Sequence, residues 1–182
     1  MALILIVLLV VGGIYPAVAF NRLVRQRNQL REAWSGMDVQ LKRRHDLVPN
    51  LVQCVQGYRG HEQTVLGEIA AARTRAQSAQ GVPNASAAEN ELTKNLRSLF
   101  ILAEAYPDLK ADASFRQLSA SLVEIEDNIQ YARRFYNGTV RDYNNLVQSF
   151  PSLMVARIFG FAPAEFFEIE TATERAAPQV KL

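Results

Sequence analysis

The sequence predicts an all-α protein in which an N-terminal transmembrane helix continues into an up-and-down four-helix bundle. Three observations carry that expectation. The first twenty residues, MALILIVLLVVGGIYPAVAF, hold no charged side chain. Pro and Gly are sparse, with 7 and 9 copies in 182 residues, while Ala and Leu are abundant, which favours helices over sheets. From Phe115 to Val147 apolar residues recur at steps of three and four without interruption, the period of one helix face.

The apolar N-terminus, residues 1–20, is read as the anchor. Roughly 20 residues of α-helix cross a bilayer's hydrocarbon core, and Gly12, Gly13 and Pro16 are tolerated in such a helix. A cleaved signal peptide is the rival, because Ala17-Val18-Ala19 imitates a small-x-small cleavage site; the lack of any Lys or Arg before the apolar run argues for the anchor. Arg22, Arg25, Arg27 and Arg31 follow the run and none precedes it. The positive-inside rule then puts the N-terminus outside and the body in the cytoplasm.

Residues 21–149 are expected to form the bundle. The first helix carries the stripe Leu30, Trp34, Met37, Leu41, Val48, Leu51 and Val55, and Pro49 should kink it without ending it, since the pattern resumes at once. Gly57 and Gly60 mark a break. A second helix runs from His61 to Gln80 with Val65, Leu66, Ile69 and Ala76 inside, and SAQGVPNAS is a loop. Ser86 and Glu89 have capping-box spacing at the start of a third helix with the stripe Leu92, Leu96, Leu99, Ala103 and Tyr106. Pro107 breaks the chain, with Asp108 as candidate N-cap of the fourth helix. Two long helices flanking two short ones pack most simply as an up-and-down bundle, which brings the start of the first helix and the end of the fourth to one membrane-proximal end.

That end holds a repeated phrase. FNRLVRQRN at Phe20–Asn28 and YNGTVRDYN at Tyr136–Asn144 both read aromatic-Asn-x-x-Val-Arg-x-x-Asn. Asn21, Arg25 and Asn28 in one copy, and Asn137, Arg141 and Asn144 in the other, share the spacing i, i+4, i+7, a polar stripe on a helix. Such stripes serve as an inter-helix hydrogen-bond device or a solvated edge, or else as a contact to lipid headgroups or a neighbouring copy. Phe20 and Val24 lie on the flank of the first helix's apolar line, a surplus beyond what its own bundle needs. After the fourth helix, FPSLMVARIFGF has the single charge Arg157 and is too short to span. This apolar membrane-proximal segment, residues 150–170, brings Ile158, Phe159 and Phe161 to the interface, to the bundle's open end or to a second copy. Residues 171–182 form a polar, flexible tail.

Little in the chain points to catalysis. HEQTV at His61–Val65 lacks the second His four positions on that a zinc protease helix needs, and His45 is the one other histidine. The single cysteine, Cys54, excludes an internal disulfide and reads as a small buried hydrophobe. Lys42, Arg43, Arg44 and His45 fan around a helix and read as a solvated face with Asp38 and Asp46, or else a docking patch for an acidic partner. Glu124, Glu126 and Asp127 read as solvated beside the fourth seam. No Gly-rich phosphate loop or nucleophile elbow occurs, so neither an enzyme nor a cofactor is expected. Net charge +2 is too small to predict a nucleic-acid partner, although eight Arg or Lys against three acidic residues crowd Phe20–Gly60.

The stretches EAWSGMDVQLKRRHDLVPNLV, GYRGHE, AYPDLKA and YNGTVRDYNNLVQSFPSLMVARIFGF together resemble the LemA family, from the anchor to about Phe167, with Phe20 where the family usually has Tyr. The resemblance implies a bacterial, single-pass, membrane-anchored protein with a four-helix bundle body and no firmly assigned activity. It also implies candidate partners, a TPM-domain protein or a membrane metalloprotease, whose genes often neighbour the family's. Some relatives take part in building magnetosome membranes. The function expected is a non-enzymatic scaffold that binds lipid, self-associates as a homo-oligomer and supports or shapes the membrane. The alternative is an adaptor or sensor for a membrane protease or an envelope-stress system. The candidate interaction residues are Phe20, Asn21, Val24, Arg25, Asn28, Asn137, Arg141, Asn144, Ile158, Phe159 and Phe161.

Overall fold

The computed structural model describes residues 2–57 and 63–168, with side chains from 13 onward. The described elements are helices: α1 (Ala2–Gln56), α2 (Gln63–Ser78), α3 (Val82–Ala103), α4 (Pro107–Ala111), α5 (Ala113–Gln148) and α6 (Ser152–Ile158). No strand occurs among the described residues. Among them, no helix is long and apolar enough to cross a membrane. The expected anchor at residues 1–20 has its first twelve side chains outside the described set, as are His61 and the tail.

The helix α1 runs unbroken through Pro49, as expected. Proline has no N–H, so the carbonyl four residues back, that of His45, loses its intrahelical donor. Arg73 from α2 supplies one: its Nε donates to the His45 carbonyl at 2.6 Å. A charged donor on a freed carbonyl is among the stronger hydrogen bonds available, and it ties α2 to α1 at the proline.

The start of α3 differs from expectation. Gly81, at φ 79°, makes the reversal after α2, and Pro83 sits within the first turn, where its missing N–H costs nothing. The helix therefore begins at Val82, and Ser86 and Glu89 are interior residues rather than a capping box. Both are buried and serve long-range contacts instead. The cap expected at Asp108 falls at Asp112: its Oδ1 accepts the Phe115 N–H at 2.8 Å and opens α5, while α4 is a single turn begun by Pro107.

Along α5 the expected seam faces inward. Phe115, Leu122, Ile129, Tyr136 and Tyr143, seven apart, are all buried, whereas Leu118, Ile125 and Ala132 between them are half-buried. A strict seven-residue spacing keeps one line of side chains under a neighbouring helix.

The chain divides into two compact units, residues 42–125 with those from 167, and residues 1–41 with 126–166; α1 and α5 contribute to each. In the first, five helices enclose one core, including Leu51 and Val55 of α1, Ile69 and Ala72 of α2, Leu92 and Leu99 of α3, Leu109 of α4, and Phe115 and Leu122 of α5. Cys54 packs half-buried against it. In the second, α1 and α5 form a pair over Leu23, Met37, Ile129, Tyr136 and Val140. Trp34 meets the Tyr136 ring edge-on at 5.4 Å.

Candidate functional site

In the second unit the chain after α5 turns back on the helix pair, and the turn is built locally. Past the C-cap Phe159, Gly160 takes φ 70°, a left-handed conformation that residues with a Cβ rarely adopt. The Phe161 N–H then donates to the Ala156 carbonyl at 2.9 Å, the six-to-one bond of a Schellman ending. This motif favours an apolar contact beside the bond, and Phe161 and Ala156 are both buried in one cluster with Leu23, Tyr143, Val147 and Val155.

Both copies of the repeated phrase grip this returning segment. From the first copy, Phe20 meets Phe159 at 4.8 Å and Phe161 at 5.8 Å between ring centroids, and Val24 packs on the same cluster. The Arg27 guanidinium stands 4.9 Å from the Phe161 ring centre, a cation–π contact. From the second copy, Asn144 clamps the backbone of Ala164: its Nδ2 donates to the carbonyl at 2.9 Å and its Oδ1 accepts the N–H at 2.8 Å. The Tyr136 hydroxyl donates to the Glu165 carbonyl at 3.0 Å. The aromatic first position thus stacks in one copy and hydrogen-bonds in the other, which matches Phe20 having no hydroxyl.

The other phrase residues divide. Asn21, Arg25, Asn28 and Arg141 are exposed, Arg141 with its Nε 3.3 Å from the neighbouring Asp142 carboxylate, and Asn137 is half-buried. Phe161 is 7% exposed, covered by its own helix pair, whereas Ile158 is 76% and Phe159 57% exposed. Phe150 and Met154 also stand out in the open beside them, as do Ile14 and Val18 on α1. Burial raises the Tyr136 hydroxyl above its ordinary pKa, helped by the Glu165 charge. Burial also raises Tyr143, although Arg27 and Arg31 pull it the other way.

The first unit holds a polar cluster that the sequence pattern hid. Arg44 and His45, expected on a solvated face, are buried. Glu89 of α3 receives both: its carboxylate pairs with the Arg44 guanidinium and lies 2.7 Å from His45 Nε2. Arg44 also donates to Thr93 Oγ1 at 2.9 Å. The reason for the difference is the partner: a buried guanidinium is tolerated when a carboxylate meets it. On the same helix, Ser86 donates to the Glu168 carbonyl and Asn90 to the same oxygen at 3.1 Å. These contacts hold the chain after Phe167, itself buried. A cue to this role did exist in the sequence, since Ser86, Glu89 and Thr93 share the helical face of Leu92 and Leu96 to within one position. Among the described residues, no group of three or more His, Cys, Asp and Glu side chains is placed to hold a metal.

Residues 33–182 match the LemA family. The chain is 25% identical over 179 residues to Magnetosome protein MamQ 2 of Paramagnetospirillum magneticum, an alignment that covers 84% of this chain and 66% of that protein. It is 23% identical to Magnetosome protein MamQ of Magnetospirillum gryphiswaldense, covering 88% of this chain and 70% of that protein. To Protein LemA of Metamycoplasma hominis it is 27% identical over 155 residues, covering 82% and 70%. The chain thus spans about two thirds of the length of the magnetosome relatives it matches.

Proposed function

Starting from a chain that belongs to the LemA family, we propose that it is a non-enzymatic, membrane-anchored helical scaffold that self-associates and supports or shapes the bacterial membrane. Residues 1–20 serve as the anchor, with the N-terminus outside and the helical body in the cytoplasm. The observation that carries this reading is the apolar collar at one end of the α1–α5 pair. Ile14, Val18, Phe150, Met154, Ile158 and Phe159 are all more than half exposed there. Exposed apolar groups gathered in one place mark an interaction surface. This collar lies where the uncharged first twenty residues reach the body, and four arginines follow that run. A short helix with Met154 and Ile158 on one face and Arg157 beside them suits the headgroup region. The likeness to proteins named for the magnetosome favours a structural role over an enzymatic one.

Self-association has a separate candidate surface. Tyr131 and Phe135, one turn apart on α5, are 66% and 65% exposed. The proposal is that a second copy covers them. Extraction in mild detergent followed by particle sizing tests this: the full chain is expected to run as a uniform oligomer, and Tyr131→Glu with Phe135→Glu as a smaller particle of unchanged helicity. A wild-type monomer that co-purifies with a membrane protease would refute the scaffold and leave the adaptor.

A further inference from the structure

Between α1 and α5 near the collar lies a cleft of about 490 Å³, with Arg22 and Gln26 on one wall, Asp142 and Asn145 on the other, and Tyr15 and Phe150 among its lining. We infer that this cleft seats the headgroup of a zwitterionic, amine-bearing phospholipid, with its phosphate on Arg22 and its ammonium on Asp142. The inference rests on the membrane-anchored reading above and goes beyond it by naming the lipid class.

The charge pattern selects the ligand. A single cation and a single anion come from different helices, so a simple anion would meet Asp142 and a simple cation would meet Arg22. A group with one charge of each sign satisfies both, which is discrimination by repulsion as well as attraction. Arg22 makes no ion pair among the described residues. Asp142 has its neighbour Arg141, but that pair is adjacent, exposed and 3.3 Å long, a weak competitor in water. A primary ammonium carries three donors for a carboxylate and the Asn145 amide oxygen, which a quaternary ammonium lacks. Guanidinium suits phosphate by its paired donors, and the Gln26 amide adds another.

Depth and surroundings fit the same occupant. Arg22 is the second residue after the uncharged run of residues 1–20, the level at which headgroups begin if that run spans. Tyr15 and Phe150 give the cleft an aromatic rim of the kind that settles at the interface, and Phe150 is 80% exposed. Leu146 in the cleft lining and the exposed Val18 and Met154 outside it are apolar groups on which acyl chains can rest.

The test uses the full chain with vesicles of equimolar phosphatidylethanolamine, phosphatidylglycerol and phosphatidylcholine. Flotation reads membrane attachment, and native mass spectrometry after mild extraction reads the lipid retained. Wild type is expected to retain phosphatidylethanolamine roughly tenfold over either competitor. Asp142→Lys is expected to shift retention to phosphatidylglycerol, and Arg22→Gln to lose selectivity, with far-UV circular dichroism unchanged because both residues are exposed. A chain that floats but retains the three lipids equally overturns the headgroup site and leaves the membrane reading standing. A chain that does not float overturns both. Soluble phosphoethanolamine displacing the retained lipid at millimolar concentration supports the assigned chemistry, whereas its binding with no lipid retained at all refutes a lipid as the occupant.

Discussion

Glu89 is drawn in two directions at once. Burial alone would push its carboxyl up, but the hydrogen bond from His45 and the charge of Arg44 outweigh it, so the group lies below its ordinary value of 4.5. A carboxyl depressed in the folded state stabilises the fold above its unfolded value, and that stability is lost as pH falls through the folded value. Glu89→Gln should therefore do two things. At pH 7 it strands Arg44 in a buried site, a loss of roughly 3–5 kcal/mol, the range for breaking a buried pair from one side. As pH falls from the ordinary carboxylate value toward the lower folded value the difference from wild type should shrink, because the unfolded chain takes up a proton before the folded one does. Below the folded value wild type has lost the same charge. Urea midpoints measured from pH 3 to pH 7 check both. A gap that stays constant with pH would show that Glu89 contributes by shape rather than charge.

The two connections that shape the elements are made by single side chains acting on backbone groups. At Pro49 the helix survives because Arg73 serves the His45 carbonyl. Arg73→Ala should cost about 1–3 kcal/mol by leaving that carbonyl without a donor. Pro49→Ala restores an N–H within α1, so in that background Arg73→Ala should cost markedly less. A double-mutant cycle by chemical denaturation reads the difference, and additive losses would disprove the link. At Asn144 two hydrogen bonds hold Ala164. Asn144→Ala should raise the hydrogen-exchange rate of the Ala164 amide by roughly tenfold while the amides at the centre of α5 stay protected. Unchanged exchange there would mean that the apolar packing of Phe161 alone keeps the segment in place.

At the scale of the molecule the prediction concerns attachment. Phe161 is covered by its own helix pair, so substituting it tests folding rather than binding. The exposed pair Ile158 and Phe159 separates the two. In a chain lacking residues 1–20, Ile158→Glu with Phe159→Glu should weaken vesicle binding by at least an order of magnitude, since each exposed apolar side chain contributes about 1.5–3 kcal/mol when fully buried. Far-UV circular dichroism should be unchanged. Equal flotation of the variant and its parent would remove α6 from the membrane surface. The truncation tests folding of the body as well, and the parent's cooperative melting is the control.

Sequence alone determined what depends on local period and local backbone chemistry. The seam from Phe115 to Val147, the passage of α1 through Pro49, the break at Gly57 and the long–short–short–long order of helices all follow from which face of a helix is apolar and where Gly or Pro stands. The repeat of FNRLVRQRN in YNGTVRDYN was likewise visible, though not that both copies hold the same returning segment. Tertiary structure decided the partners of polar residues. Arg44, His45 and Ser86 look like ordinary surface or cap residues in a one-dimensional pattern, yet Arg44 meets a carboxylate 45 positions away and Ser86 a carbonyl 82 positions away. The same holds for the Asn144 clamp, 20 positions from its target. Apolar burial needs only a period, because any apolar neighbour serves; a buried charge or amide needs one particular group at hydrogen-bond distance, and only the folded chain supplies it.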